Sequence, residues 1–285
     1  MTEELEPELD LEPGLHENVP EEQYHRMLEV SQSQLKVLRY KTPAHLKHEI
    51  LNPKAPTPAL ELGRAVHAAI LEPDKFEGEY VREIEGDGRK KEVREARAAQ
   101  ARDFEGATLL KATAYDTCME MIGSVYGHEG AKALLADCSR RELTAIWKDR
   151  DTELDCRARY DAVSDDGVVV VDIKTTEDAS EESFTRDIYR YGYNIQAAHY
   201  LDGAVANGLP ASIFAIVAVE KAPPYCLCIY EVVDEAIDAG RKELRRLLSI
   251  YNECVETDTW PGYPSPVSIS LPRYAWQQIE ERVEE

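Results

Sequence analysis

The chain has 285 residues, 43% hydrophobic and 31% charged, the usage of a soluble globular protein with one large domain or one domain with appendages. No window approaches the roughly 18 uninterrupted apolar residues of a membrane span, and the opening Met-Thr-Glu-Glu-Leu-Glu lacks the basic stretch and apolar core of a signal or transit peptide, so neither membrane insertion nor secretion is expected. The formal net charge of −22 excludes a uniformly basic nucleic-acid-gripping surface, but the charge is uneven.

Residues 1–22 carry nine acids and no Lys or Arg, so this Pro-punctuated segment is too polar to order itself, and residues 1–29 are expected to form an acidic, flexible tail. Ser31 or Ser33 then caps a helix whose buried stripe includes Leu35 and Leu38, and Pro43 ends it or opens the next turn. After a proline-rich loop at 52–58, apolar periodicity predicts a helix from Ala59 to Leu71, and residues 89–135 are helical in spacing and composition. The N-terminal half is thus mostly helical.

Near Glu142 the period changes from that of a helix to that of a strand. Leu143–Trp147 alternates, and Leu154, Cys156, Ala158, Tyr160 and Ala162 alternate with charged residues. Ser164–Gly167 is a turn, and Val168–Lys174 is a β-branched strand. A single helix is expected over roughly 181–206, then strands at 213–220 and 226–232 and a long amphipathic helix from Asp234. The fold class is α/β, a central mixed sheet of about five strands flanked by helices. Residues 30–260 form the domain, with 261–285 as a C-terminal extension.

The six cysteines, at 118, 138, 156, 226, 228 and 254, have no C-x-x-C spacing and suit free thiols in a reducing cytoplasm. They do not support an iron–sulfur cluster.

Chemistry concentrates between Asp161 and Lys174. With Asp166-Gly167 as the central pair of a type I′ turn, residue 163 pairs with 170 and Asp161 faces Asp172. Two like charges directly opposed on a sheet are destabilising unless a cation lies between them, and Lys174 projects on the same side as Asp172. The pair suits a hard divalent cation beside an ammonium, an arrangement for activating water against a phosphodiester. The bland alternative is an exposed hairpin with surface ion pairs, but a strand as apolar as Val168–Ile173 is normally central, where an unpaired carboxylate is costly.

Asp161, ten intervening residues and Asp172-Ile173-Lys174 resemble the signature of the PD-(D/E)XK nuclease superfamily. Gly63-Arg-Ala-Val-His67 resembles the G-x-x-x-H helix of its RecB-type branch, and Gln196-Ala-Ala-His-Tyr200 its Q-x-x-x-Y helix. Ser33-Gln-Leu-Lys36, Thr42-Pro-Ala-His45 and Ala59-Leu-Glu-Leu-Gly63 with His67–Pro73 look like the nuclease domain of RecE, or exonuclease VIII. The resemblance covers about residues 30–260.

It implies a metal-dependent exonuclease that degrades one strand of linear duplex DNA from the 5′ end, releasing 5′-mononucleotides and leaving a 3′ single strand. The metal is Mg2+, with Mn2+ as a substitute, held by His67, Asp161, Asp172 and the carbonyl of Ile173. Lys174 orients and helps deprotonate the attacking water, and Gln196 and Tyr200 position Lys174 or a DNA phosphate. Implied partners are duplex DNA ends, a RecT-like single-strand annealing protein and further copies of the chain in a toroidal oligomer, within a bacterial or phage-infected cytoplasm. Gly63 is expected to admit close approach of another backbone to the His67 helix. Arg157, Arg159 and Thr175 are candidate DNA contacts, and Glu142 a carboxylate acting through water. Rival readings are an iron–sulfur relative, disfavoured because no cysteine precedes Cys118, a structure-specific endonuclease, and a non-catalytic DNA-end-binding module.

Overall fold

A run of β-branched residues at the centre of the chain and amphipathic stretches on both sides build a layered α/β molecule. It is described from a computed structural model covering residues 11–53 and 57–284. In chain order the elements are β1 (Gly14–His16), α1 (Glu21–Arg26), β2 (Val30–Ser31), α2 (Gln32–Leu35), α3 (Val37–Tyr40), α4 (Pro43–Leu51), α5 (Pro58–Leu71), α6 (Pro73–Glu79), β3 (Tyr80–Arg82), α7 (Lys91–Asp103) and β4 (Thr108–Leu110). They continue as α8 (Ala112–Gly127), α9 (Glu129–Ala136), β5 (Arg140–Lys148), β6 (Asp155–Val163), β7 (Val169–Thr176), α10 (Glu181–Tyr191), α11 (Tyr193–Ala206), β8 (Ile213–Glu220), β9 (Leu227–Glu231), α12 (Asp234–Thr257) and α13 (Arg273–Glu284).

The central sheet is mixed, as its sequence pattern implies, with strand order β1-β5-β6-β7-β8-β9 and β2 pairing beside β6. Strands β5 through β9 are the five expected; β1 and β2 are additions from the N-terminal segment. The β7–β8 pairing is parallel, and the intervening α10 and α11 supply the crossover that parallel pairing demands. One face carries a core from β5, β6, β8, α11 and α12, including Leu143, Tyr160, Phe214, Leu201 and Leu244. The other carries α5, α8 and α9 against Ala162, Val171, Ile173 and Val217. Among the described residues no helix is long and apolar enough to cross a membrane.

Four expectations are corrected. The acidic segment is not a free tail from residue 14 onward: β1 pairs antiparallel with β5, Gly14 opposite Ile146, while Val19 and Met27 pack on Ile146. Residues 1–10, which hold five of its nine acids, lie outside the described residues, as do residues 54–56 of the proline-rich loop. The single helix over 181–206 is two helices, because Gly192 adopts a left-handed conformation (φ 69°) that ends α10 and starts α11. Within the stretch 89–135 expected to be helical, β4 is a strand instead, pairing with β3 in a small parallel two-stranded sheet.

The fourth correction concerns the turn before β7. Gly167 N–H donates to the Ser164 carbonyl at 2.8 Å and Ser164 N–H to the Val169 carbonyl at 2.9 Å, so four residues, not two, form the loop. Ser164 Oγ and the Val168 N–H both donate to Asp166 Oδ1, which tightens the loop, while Gly167 takes the positive φ. Register is unaffected: Ala162 pairs with Val171 and Val163 with Val170. Asp161 therefore lies level with Asp172.

Candidate active site

Strands β6 and β7 part just where the two aspartates begin. The last backbone pairs are at Ala162 and Val171, and the Ile173 N–H donates instead to Asp161 Oδ2 at 2.6 Å. A side-chain carboxylate replaces the backbone acceptor, and a gap opens between central strands. An extended residue sends its N–H and C=O toward the same strand edge, so the Ile173 carbonyl also faces this gap.

The facing pattern of β5 and β6 changes at the same level. Tyr160 belongs to one core and Ala162 to the other, and Leu143 and Arg141 likewise separate, Arg141 reaching the Ile70 and Leu71 carbonyls of α5. Glu142, between them, has φ 48°, outside the ordinary strand region. The alternation that places Ala162 with Tyr160 fails here, and Glu142 comes level with Asp161 across the β5–β6 pair.

Helices reach the gap from both faces. Thr57 caps α5 by accepting from the Leu60 N–H, and Ala65, Val66, Ala69 and Ile70 anchor the helix in the core. This sets His67 with Nδ1 3.5 Å from Asp161 Oδ2. A methyl group on Gly63 would meet Thr175 Oγ1 at 4.0 Å, ordinary contact, so Gly63 does not admit the close backbone approach expected of it. From the other face, α11 brings Gln196, whose Nε2 donates to Asp172 Oδ1 at 2.6 Å. Lys174 Nζ lies 2.5 Å from Asp172 Oδ2 and above the Tyr193 ring. Tyr200 packs edge-on against Tyr160, while its carbonyl accepts from the Tyr160 hydroxyl.

These groups line one pocket of about 510 Å³ with Glu142, Arg159, Thr175 and, from α1, Glu21 and Tyr24. Its charges are mutually dependent. Burial, reinforced by Asp161, pushes the Glu142 carboxyl up to about 7. Burial also raises Asp172 to about 6 despite the opposing Lys174 charge. For His67, burial opposes protonation, but the Asp161 carboxylate outweighs it and raises the imidazole to about 9. Asp161 in turn is held below the ordinary carboxylate range because His67 overcomes its burial. The raised Glu142 and Asp172 carboxyls and the raised His67 imidazole thus favour keeping protons in a site rich in carboxylates.

One donor atom each from His67, Glu142 and Asp161 lies within 4.8 Å of the others. Carboxylate oxygens suit hard divalent cations and imidazole a somewhat softer one, and the excess of buried negative charge is what a divalent cation would neutralise. The residues therefore fit a metal. The grouping modifies the sequence expectation: Glu142, assigned to act through water, is among the nearest donors, whereas both Asp172 oxygens are engaged by Gln196 and Lys174.

Arg157 is corrected as a DNA contact. It is 3% exposed, donates to the Met27 carbonyl and lies over the Tyr24 ring. Arg159 also covers Tyr24 and donates to the Val19 carbonyl at 2.6 Å, but it borders the pocket, 3.8 Å from Glu142. Sequence reasoning missed Tyr24, Glu21 and Arg64, the last two paired at 3.0 Å in the pocket wall. The buried Val19 and Met27 flanking α1 were the available signal that this acidic segment folds.

The model of the PDDEXK-like domain of unknown function (DUF3799) matches residues 31–267. The chain belongs to this family. The PDDEXK-like fold is also that of a crystal structure of a candidate exonuclease from Eubacterium rectale, with TM-score 0.57 and 14% identity over 88% of this chain and 92% of that one. SSO0001, at TM-score 0.29 and 15% identity over 59% of this chain and 73% of that one, is too remote to carry an argument. No curated protein matches the chain. Strands β5 through β9 and the His67, Asp161 and Lys174 positions all fall inside the PDDEXK-like segment, whereas β1, α1 and α13 lie outside it.

Proposed function

We propose that the protein is a divalent-metal-dependent deoxyribonuclease, specifically an exonuclease that shortens the 5′-ended strand of linear duplex DNA and releases 5′-mononucleotides. The observation that carries this reading is the gap between β6 and β7, where His67, Glu142 and Asp161 gather beside the Asp172–Lys174 pair. The direction of digestion, the preference for duplex ends, and partnership with an annealing protein and further copies in a ring rest on the resemblance to RecE. The fold shared with the Eubacterium rectale protein is consistent with an exonuclease architecture.

His67, Glu142 and Asp161 would hold the metal with the Ile173 carbonyl, and Asp172 would complete the set when its hold on Lys174 and Gln196 is exchanged. When bound, Mg2+ or Mn2+ supplies a Lewis acid for the phosphoryl oxygen and lowers the pKa of attacking water. Lys174, anchored by Asp172, orients that water and stabilises negative charge developing on the phosphorane. Gln196 fixes the Asp172 carboxylate through Oδ1, so its contribution is positional. Packing of Tyr200 on Tyr160 holds α11 in register with β6. Arg159 and Thr175, at the pocket wall, are placed to meet DNA phosphates.

Digestion of linear duplex labelled at either the 5′ or the 3′ end of one strand, with Mg2+ or EDTA, beside a covalently closed circle, tests the proposal. Metal-dependent release of the 5′ label as mononucleotide with the circle intact is expected. A nicked circle would replace the exonuclease by an endonuclease, and inert protein in Mg2+ and Mn2+ would remove the nuclease reading.

A further inference from the structure

The junction of α10 and α11 carries the sequence Tyr189-Arg190-Tyr191-Gly192-Tyr193, and beside it lie Lys36 and, from α3, Arg39 and Tyr40. These residues alternate aromatic and cationic groups across a continuous surface. The Arg39 guanidinium lies 4.4 Å from the Tyr189 ring centroid and 5.1 Å from that of Tyr40. Lys36 and Arg190 each lie 5.5 Å from the Tyr191 ring. Tyr191 and Tyr193 are ring neighbours at 5.7 Å, and Tyr193 lies under Lys174 at 5.2 Å. The strip therefore runs from the surface to the catalytic lysine.

Tyr189 is 71% exposed, Tyr40 59% and Tyr191 38%, yet their surroundings are anchored. Arg39 donates to the Tyr189 carbonyl at 2.5 Å and the Tyr40 hydroxyl donates to the Arg190 carbonyl at 3.0 Å. Among the described residues Lys36, Arg39 and Arg190 have no acidic partner at ion-pair distance, although Asp187 and Glu243 lie near enough to influence Tyr193 and to feel Arg39. In a chain of net charge −22 this is a cationic strip without a direct ion-pair partner among the described residues. Ordered aromatic faces flanked by guanidinium and ammonium groups match unpaired bases stacked along a phosphate backbone.

We infer that the Tyr40–Tyr189–Tyr191 surface is a stacking platform for single-stranded DNA, continuous through Tyr193 with the strand held at Lys174. The inference rests on the proposed nuclease reading for that continuity, but binding to the platform does not require cleavage. Each exposed tyrosine offers a base a face at little cost in side-chain entropy, and Arg39 and Lys36 meet the intervening phosphates.

The test is anisotropy of a short fluorescein-labelled oligothymidylate with the full chain in EDTA, where metal-dependent cleavage is silent. Tyr189→Ala and Tyr191→Ala are expected to weaken binding about 5- to 100-fold each, the range typical of losing one base–aromatic stack. Tyr189→Trp is expected to restore it, and thermal melting checks that the variants stay folded. Wild-type affinity in both alanine variants overturns the platform. So does a loss confined to Arg39→Gln, which would reduce the patch to phosphate attraction. A wild-type protein that digests duplex yet does not bind the oligonucleotide refutes this inference alone. One that binds through the tyrosines yet never cleaves in Mg2+ or Mn2+ refutes the nuclease reading alone.

Discussion

Replacing Glu142 by Gln is expected to stabilise the metal-free protein while weakening its response to metal. The carboxyl is raised from 4.5 to about 7, so below 4.5 it is neutral in both folded and unfolded chains and costs nothing. As pH rises from 4.5 through 7, the unfolded chain ionises first, and the folded state loses stability up to the full difference above pH 7. At about 1.4 kcal/mol per pH unit the difference is on the order of 3 kcal/mol. For a chain of this size that corresponds to a melting temperature several degrees higher for Glu142→Gln near pH 8 in EDTA, and to little change at about pH 4. Addition of Mn2+ is expected to raise the wild-type melting temperature and to move the variant much less, because a donor is gone. Differential scanning calorimetry at both pH values with and without Mn2+ measures all four quantities. Equal melting of the two proteins in EDTA near pH 8, or an equal response to Mn2+, would refute placing Glu142 in the metal-binding cluster.

Lys174→Met is expected to lower cleavage by roughly 100- to 1,000-fold, as loss of a group stabilising transition-state charge does, while duplex binding in Ca2+ persists by filter retention. At pH 7.5 binding of Mn2+ is expected to release about one proton, because His67 with a pKa near 9 must shed its proton to ligate. Titration calorimetry in buffers of differing ionisation enthalpy counts that proton, and none released would contradict an imidazole ligand. Cleavage is expected to fall as pH drops below about 7, as Glu142 and then Asp172, at about 6, take up protons, with the midpoint moving lower at higher metal concentration. Gly240→Ala is expected to cost roughly 3 kcal/mol in urea denaturation, since a Cβ would lie 2.1 Å from the Asn194 carbonyl oxygen, two residues before Gln196.

The register that brings Asp161 level with Asp172 was readable in the sequence because the interval between them admits a hairpin and β-branched residues mark the second strand. It survived an error in the turn, since a four-residue loop centred on the same residues preserves pairing. His67 was readable as a position on a helix, but its distance to Asp161 depends on how α5 packs, which no local pattern encodes. Glu142 was underrated for a related reason. Its proximity to Asp161 follows from the β5–β6 register across the loop between residues 149 and 154, and from a positive φ that period-two reasoning assumes absent. Arg157 was misjudged because alternation assigns a face without saying what covers it, and here α1 does. The tyrosines of the α10–α11 junction are not legible as an exposed group from a pattern that runs through Gly192 as one continuous helix, because the left-handed Gly192 is what breaks it.

The N-terminal strand and helix also bear on how the domain can be cut. A fragment trimmed to residues 31–267 would keep most groups at the gap between β6 and β7. It would lose the β1 hydrogen bonds to β5, the Met27 carbonyl that accepts from Arg157, and the Tyr24 ring beneath both arginines of β6. Two guanidiniums would be stripped of their lining on the strand that carries Asp161, and Glu21 would no longer hold Arg64 beside the pocket. The smallest piece fit for crystallisation or assay therefore begins before Gly14, where sequence similarity alone would place the cut too late.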